Sequence, residues 1–179
     1  MMKKIVALDL DHTLVYARSG YFAQRNHYDF MIRGGCFKSW YVQKRPHVDR
    51  LLTELAKNYK IIVFTAATKD YADAILDKLD VNNVIDVRLY RDSCTRMGRA
   101  LVKDLAKLGQ ELKNVILVDD NPVSYKLQPE NAFPVEAFTG DLSDKQLLEV
   151  IDFCDKATTC KDMREAIWKH RNELKIVID

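Results

Sequence analysis

Glycine and proline are scarce here, six and four among 179 residues. Together they stay under 6%, where an average chain holds about 12%. Long flexible linkers and low-complexity tails are therefore not expected. No long apolar run occurs either. The opening MMKKIVALDLDHT places two lysines before IVAL, but Asp9 and Asp11 end that run. It is too short for the apolar core of a secretory signal or for a membrane span. The four cysteines, at 36, 94, 154 and 160, form no CxxC and match no zinc-ligand spacing. They read as free thiols in a reducing compartment. With 30% charged residues, the expectation is a soluble intracellular protein, nuclear or cytoplasmic, without a membrane partner. The length suits a single domain, residues 1–179, and the 47% apolar content can build a core.

The net charge of +2 hides an asymmetry. Residues 1–60 carry 11 basic and 5 acidic side chains, whereas the remainder is slightly acidic. The excess lies in Arg18, Arg25, Arg33, Lys38, Lys44, Arg45 and Arg50. A solvated face and a surface that attracts an acidic or phosphorylated partner are both compatible with it.

Short β-branched runs at 5–10, 61–65, 84–90 and 115–118 alternate with helical periodicities. Pro46 is placed to open a helix whose Val48, Leu51, Leu52 and Leu55 share one face. Thr68 is the expected cap of a second helix burying Tyr71, Ile75, Leu76 and Leu79. Asp104 should cap a short third helix ending at Gly109, and Ser143 with Gln146 forms a capping-box pattern. A last helix is expected over about 161–174, with Met163, Ile167 and Leu174 inward. This rhythm predicts an α/β fold with a parallel, Rossmann-like sheet covered on both faces. Residues 16–43 break it. There Gly34-Gly35 separates two β-prone segments, predicting a hairpin flap that overhangs the end of the first strand.

Open parallel sheets bind ligands beyond their strands' C-terminal ends. Three of the four predicted strands end in chemically useful residues: Asp9 and Asp11, Thr65, and Asp119-Asp120. Each alone could be a turn former or a cap, and Asn121-Pro122 offers Asp120 a helix start nearby. Their joint placement on one rim points to a site.

The stretch DLDHTLV at 9–15 resembles the DxDxT motif of the haloacid-dehalogenase superfamily phosphatases. Thr65 in IIVFTAAT, Lys103 in ALVKDL and Asp119-Asp120 in VILVDDNP follow in the superfamily's order, at spacings of 56, 38 and 16 residues. The blocks KRPHVDRLL, FTAATKDYAD, LYRDSC and DDNPVSYKLQPENAFPV resemble the small C-terminal-domain phosphatases of the NLI-interacting-factor-like group. That resemblance runs from about residue 3 to 154. It implies a haloacid-dehalogenase core without a large cap domain, Mg²⁺ as cofactor, and a phosphorylated protein or peptide as substrate. The C-terminal repeat of RNA polymerase II is one such candidate.

The chemistry fits these residues. Asp9 can attack phosphorus to form an aspartyl-phosphate, dividing a difficult hydrolysis into two easier steps. Asp11 can protonate the leaving oxygen and later deprotonate water. Mg²⁺ favours oxygen ligands, and the resemblance implies the Asp9 carboxylate, the Asp11 carbonyl and Asp120, with Asp119 behind them. Lys103 supplies a point charge for the phosphate oxygens. Thr65 donates its hydroxyl, and the N–H groups of Ala66 and Ala67 lie near a helix start. Arg91 matches a phosphate-side arginine of the group. His12 stands where the group more often has Glu, and it is expected to face away from the phosphate. Phe30, Ile32, Phe37, Trp40 and Val42 could line an apolar pocket in the flap, or pack on the sheet. A capless metabolite phosphatase, a nucleic-acid-end phosphatase and a non-catalytic binding module remain open. No second motif for direct nucleic-acid binding is visible.

Overall fold

A computed structural model describes residues 3–20, 26–34 and 38–176, with side chains as far as 172. Arg25, Gly35, Cys36, Phe37 and the Leu174 side chain lie outside the described part. The strands are β1 (Lys4–Leu8), β2 (Val15–Ser19), β3 (Phe30–Arg33), β4 (Ser39–Lys44), β5 (Tyr59–Phe64), β6 (Val87–Leu89), β7 (Thr95–Met97), β8 (Ala100–Val102), β9 (Val115–Asp119) and β10 (Ala132–Pro134). The helices are α1 (Val48–Asn58), α2 (Lys69–Leu79), α3 (Gln146–Ala157) and α4 (Met163–Ile176).

Five strands form one sheet in the order β10-β9-β1-β5-β6, every neighbouring pair parallel. Alternation along the strands divides the core in two. Val6, Leu8, Ile61, Val63, Ile116 and Val118 share one cluster with the buried faces of α1–α4. Ile5, Ala7, Ile62, Val115 and Leu117 face the other way, onto Leu105, Leu108, Leu112 and Tyr125. Both faces are covered as expected, but the second is covered by 3₁₀ turns at Leu105–Leu108 and Leu112–Asn114 and by the loop holding Tyr125.

Several boundaries differ from those expected, each for a local reason. The third expected strand shrinks to β6 because the Asp80 carboxylate takes the N–H groups of Val84 and Ile85, at 2.8 and 3.0 Å. Pro46 stands one residue before the cap of α1, since His47 occupies that position at φ 69°. Thr68 caps α2 only by position, without a side-chain bond. The Ser143/Gln146 box does not form. Asp144 Oδ1 instead accepts from the Gln146 N–H, while Ser143 bonds back to Asp141. Asp104 does cap its turn, accepting from the Ala106 N–H, and Gly109 closes it at φ 70°. Two features had no counterpart in the expectations: β10, and the antiparallel pair β7–β8, which turns through Gly98.

The flap has three strands in the order β2-β4-β3. The expected hairpin is β3–β4, and β2 adds along the other edge of β4. Arg45, counted above among surface charges, is buried at 1% exposure. Its guanidinium grips both Asp144 oxygens at 2.9 and 2.7 Å and donates to the carbonyls of His12, Thr13 and Glu136. It thus joins the end of the flap to the loop after β1 and to the start of α3. Removing one partner of a buried pair strands the other charge, at a cost of about 3–5 kcal/mol. Arg45→Ala is expected to lose stability of that order, measured by urea unfolding; a loss below about 1 kcal/mol would make the pair no more important than a surface ion pair.

Candidate active site

The loop after β1 is fixed mainly by its own backbone. The Asp9 N–H continues the ladder to the Val118 carbonyl, and the Leu14 and Val15 N–H groups both reach the Leu10 carbonyl. His12 takes φ 64° to make this turn. Its Nδ1 lies 3.0 Å from the Phe138 carbonyl and its ring packs near Tyr16, so it is tied away from the carboxylates although it borders the cavity. Leu10 and Leu14 are buried beneath, which leaves Asp9 and Asp11 on the rim.

β9 lies beside β1 in parallel register, Leu8 opposite Val118. Asp119, the last residue of β9, therefore stands next to Asp9. Between them comes Lys103, delivered just after β8 and pinned by its own N–H to the Ser124 carbonyl. Lys103 Nζ is 2.5 Å from Asp9 Oδ1 and 2.5 Å from Asp119 Oδ2. All three side chains are buried. Burial by itself would lower the Lys103 pKa, but the two carboxylates raise it, so the ammonium stays charged. Burial and the neighbouring Asp9 push the Asp119 carboxyl up, against the pull of Lys103.

Asp120 extends this group. Oxygens of Asp9, Asp119 and Asp120 all lie within 4.8 Å of one another. Thr13 donates to Asp120 Oδ1, and the Asn121 N–H donates to Asp119 Oδ1. Asp120 is not a helix cap, because the chain beyond it turns through the Asn121 side chain, which accepts from Val123. Burial and Asp9 raise its pKa too. Three carboxylates facing one ammonium leave two negative charges in excess, and an all-oxygen donor set suits a divalent cation.

The other expected residues converge on the same place. One cavity of about 860 Å³ is bordered by Asp9, Asp11, Thr65, Ala66, Arg91, Asp119 and Asp120, with Lys103 behind it. Thr65, at the end of β5, is buried, and its oxygen accepts from the Ala67 N–H at 3.0 Å. That N–H is therefore occupied, contrary to the anion-binding role expected of it; the hydroxyl proton is not used in this bond. Arg91 spends its Nε on the Ala66 carbonyl.

Tyr71 has a role that its helical period does not show. It packs against the core from α2, as expected, and its hydroxyl also donates to Asp11 Oδ1 at 2.6 Å, at the border of the cavity. Its place in the first turn of a helix that starts at the strand rim was the available signal. Burial pushes the Asp11 carboxyl up to about 6, with Tyr71 opposing and Asp9 assisting. Trp40 packs edge-on against Tyr71, ring centroids 5.3 Å apart, and joins the cavity wall. Of the five flap residues expected to line a pocket, it is the one that borders this cavity among the described residues. Ile32 and Val42 belong to the core and Phe30 packs against it, while Phe37 is outside the described residues.

A profile of the NLI interacting factor-like phosphatases matches residues 4–164. The chain belongs to that family. It is 40% identical over 172 residues to a probable C-terminal domain small phosphatase of Dictyostelium discoideum, covering 94% of this chain and 55% of that protein. It is 42% identical over 154 residues to the human CTD small phosphatase-like protein, covering 84% of this chain and 55% of the relative. The chain thus spans about half the length of these curated relatives. In fold it resembles fission yeast Fcp1, an RNA polymerase II CTD phosphatase solved as an R271A variant with beryllium fluoride, at TM-score 0.64 and 19% identity over 96% of this chain and 55% of that one. A haloacid-dehalogenase-superfamily hydrolase of Ehrlichia chaffeensis aligns at TM-score 0.53 and 11% identity, over 87% and 98% of the two chains. The expected parallel-sheet haloacid-dehalogenase core is the fold of this family member.

A cation that binds only the folded state raises its melting temperature with concentration. Millimolar Mg²⁺ should raise the Tm of this protein, and Asp120→Asn should remove most of the rise while still folding. An equal rise in the variant would take Asp120 out of the donor set.

Proposed function

We propose that this chain is a Mg²⁺-dependent phosphatase acting on phosphoserine or phosphothreonine in proteins, through an aspartyl-phosphate on Asp9. The observation that carries this reading is the meeting, in one open cavity, of a charge-paired Asp9 with Asp11, whose carboxyl is raised to about 6. Phosphoryl transfer by a carboxylate needs a nucleophile of fixed aim and a separate acid. Lys103 holds Asp9 Oδ1 and leaves Oδ2 free to attack phosphorus. The bond from phosphorus to the ester oxygen breaks as Asp11 gives that oxygen its proton. Tyr71 occupies Asp11 Oδ1, so Oδ2 carries the proton. Water then attacks the phosphoaspartate, Asp11 takes a proton back, and orthophosphate leaves with Asp9 restored.

Thr65 and Arg91 face the phosphate oxygens across the cavity, and the Ala66 N–H lies beside them. Asp9, the Asp11 carbonyl and Asp120 would hold Mg²⁺, with Asp119 steadying Lys103 behind. When bound, the cation offsets the repulsion between Asp9 and the phosphate dianion. The fold supplies no helical lid over the rim among the described residues. Only the flap overhangs it, and that geometry admits a peptide. The relatives named as CTD small phosphatases, one of them 42% identical, support a phosphorylated protein as substrate. The human relative named carboxy-terminal domain RNA polymerase II polypeptide A small phosphatase 1, 35% identical, makes a phosphorylated peptide of that domain the first to try. Such a substrate puts the protein in the nucleus or cytoplasm.

The deciding assay is a panel of phosphopeptides against sugar phosphates and nucleotides, with Mg²⁺ and with EDTA. Phosphopeptides should be preferred at least tenfold in kcat/KM, about 1.4 kcal/mol, and EDTA should abolish turnover. Equal rates on metabolites would favour a metabolite phosphatase, and no turnover at all a binding module. Asp11→Asn separates the two carboxylates. A nitrophenolate leaves without an acid, whereas a serine alkoxide does not. The variant should lose far more activity on phosphoserine peptide than in phosphoenzyme formation from p-nitrophenyl phosphate. Equal losses would remove Asp11 from the acid role.

A further inference from the structure

The cavity has a second end that the chemistry above does not use. Its wall on the flap side is built from Arg33, Gly34, Lys38 and Trp40. The Gly34 N–H donates to the Lys38 carbonyl at 2.8 Å and closes the connection between β3 and β4. A Cβ on Gly34 would lie 3.1 Å from Trp40 Nε1, so the missing side chain lets the indole rest against the backbone. The indole meets Tyr71 edge-on, and Lys38 Nζ sits over its ring, 4.3 Å from the centroid. A cation held over an aromatic face is restrained in position while remaining charged.

Several other cations of the fold are already matched to carboxylates. Lys44 pairs with Asp49, Arg45 with Asp144, and Arg88 with Asp73 and Asp77. Arg33 faces Ser39 across the strands, and neither it nor Lys38 has an acidic partner among the described residues. The carboxylates bordering the same cavity are Asp9, Asp11, Asp119 and Asp120, committed to the site described above, and Asp70 in the first turn of α2. An open cavity with an acidic, cation-seeking end and a basic end suits a substrate with negative charge in two places.

We propose that Arg33 and Lys38, set by Trp40 and Gly34, form a subsite for a second anionic side chain flanking the phosphorylated residue. This rests on the phosphoprotein reading above and narrows it: the preferred substrate is an acidic or multiply phosphorylated segment. A flanking carboxylate and a flanking phosphate share the required chemistry, and the test separates them.

Three phosphoserine peptides of equal length would be compared. One is neutral around the phosphoserine, one carries Glu on both sides, and one carries non-hydrolysable phosphonate analogues of phosphoserine there. Rates would be normalised to p-nitrophenyl phosphate turnover by the same preparation, which also reports on folding. The wild-type protein should favour at least one anionic peptide over the neutral one by fivefold or more in kcat/KM. Which one is favoured names the source of the second charge. In R33Q/K38Q that ratio should fall below twofold, and raised salt should shrink it in the wild type, as for any exposed charge contact. A wild-type ratio near one, or a ratio that survives the double substitution, overturns the subsite while leaving the phosphoprotein reading intact. Turnover of p-nitrophenyl phosphate with none of the peptides hydrolysed would overturn both.

Discussion

Lys103, held between Asp9 and Asp119, is the constraint on which the rest of the site depends. The parallel pairing of β1 with β9 leaves two carboxylates side by side at the strand ends, with oxygens within 4.8 Å. At that distance two like charges repel by about 3.5 kcal/mol for an effective dielectric near 20. A sheet edge that buried them alone would protonate one of them, and Asp9 would lose either its charge or its place. The Lys103 ammonium, buried between the two carboxylates, prevents this. The hairpin β7–β8 and the Ser124 carbonyl exist in the right place to deliver it. One ammonium cannot balance all three carboxylates. The site therefore carries two negative charges in excess, and the geometry that orients Asp9 also assembles an oxygen donor set that suits a divalent cation.

What could be read from the sequence was what repeats or sits at a fixed place relative to a strand. The buried strands β1, β5 and β9 show as β-branched runs, and the carboxylates show because they follow or end two of those runs. Asp9, Asp11, Thr65, Asp119 and Asp120 fall on one rim by their places at strand ends, Arg91 comes only from the family resemblance, and the cavity collects all six. What could not be read depends on contacts between distant segments. Tyr71 satisfies the helical period of α2, and period alone cannot tell a residue facing the sheet from one facing a site at the helix's first turn. Arg45 looks like any other member of a basic stretch until α3 returns Asp144 to it, 99 residues later. β10 is three residues long and ends in proline, which an edge position tolerates and a local pattern does not announce. The Ser143 cap failed for a related reason. A Ser at the right offset is an option for the backbone, and a nearer carboxylate, Asp144, takes the Gln146 N–H instead.

The division of labour between sheet and flap also follows from these contacts. Residues from β1, β5 and β9 build the chemical centre on parallel ladders buried on both faces, and Lys103 joins them just after the antiparallel pair β7–β8, pinned to the Ser124 carbonyl. The flap strands are antiparallel and partly exposed, and their tie to the centre is narrow. Arg45 fixes where β4 ends by holding the carbonyls of His12 and Thr13, and Thr13 in turn supports Asp120. Trp40 touches Tyr71, and Tyr71 touches Asp11. The His12 N–H also donates to the Val15 carbonyl at the start of β2, and none of these contacts uses the Arg33 or Lys38 side chain. A scaffold of this kind separates its rim from its centre, and in this chain the rim carries Arg33 and Lys38, on the flap side of the cavity that the carboxylates border.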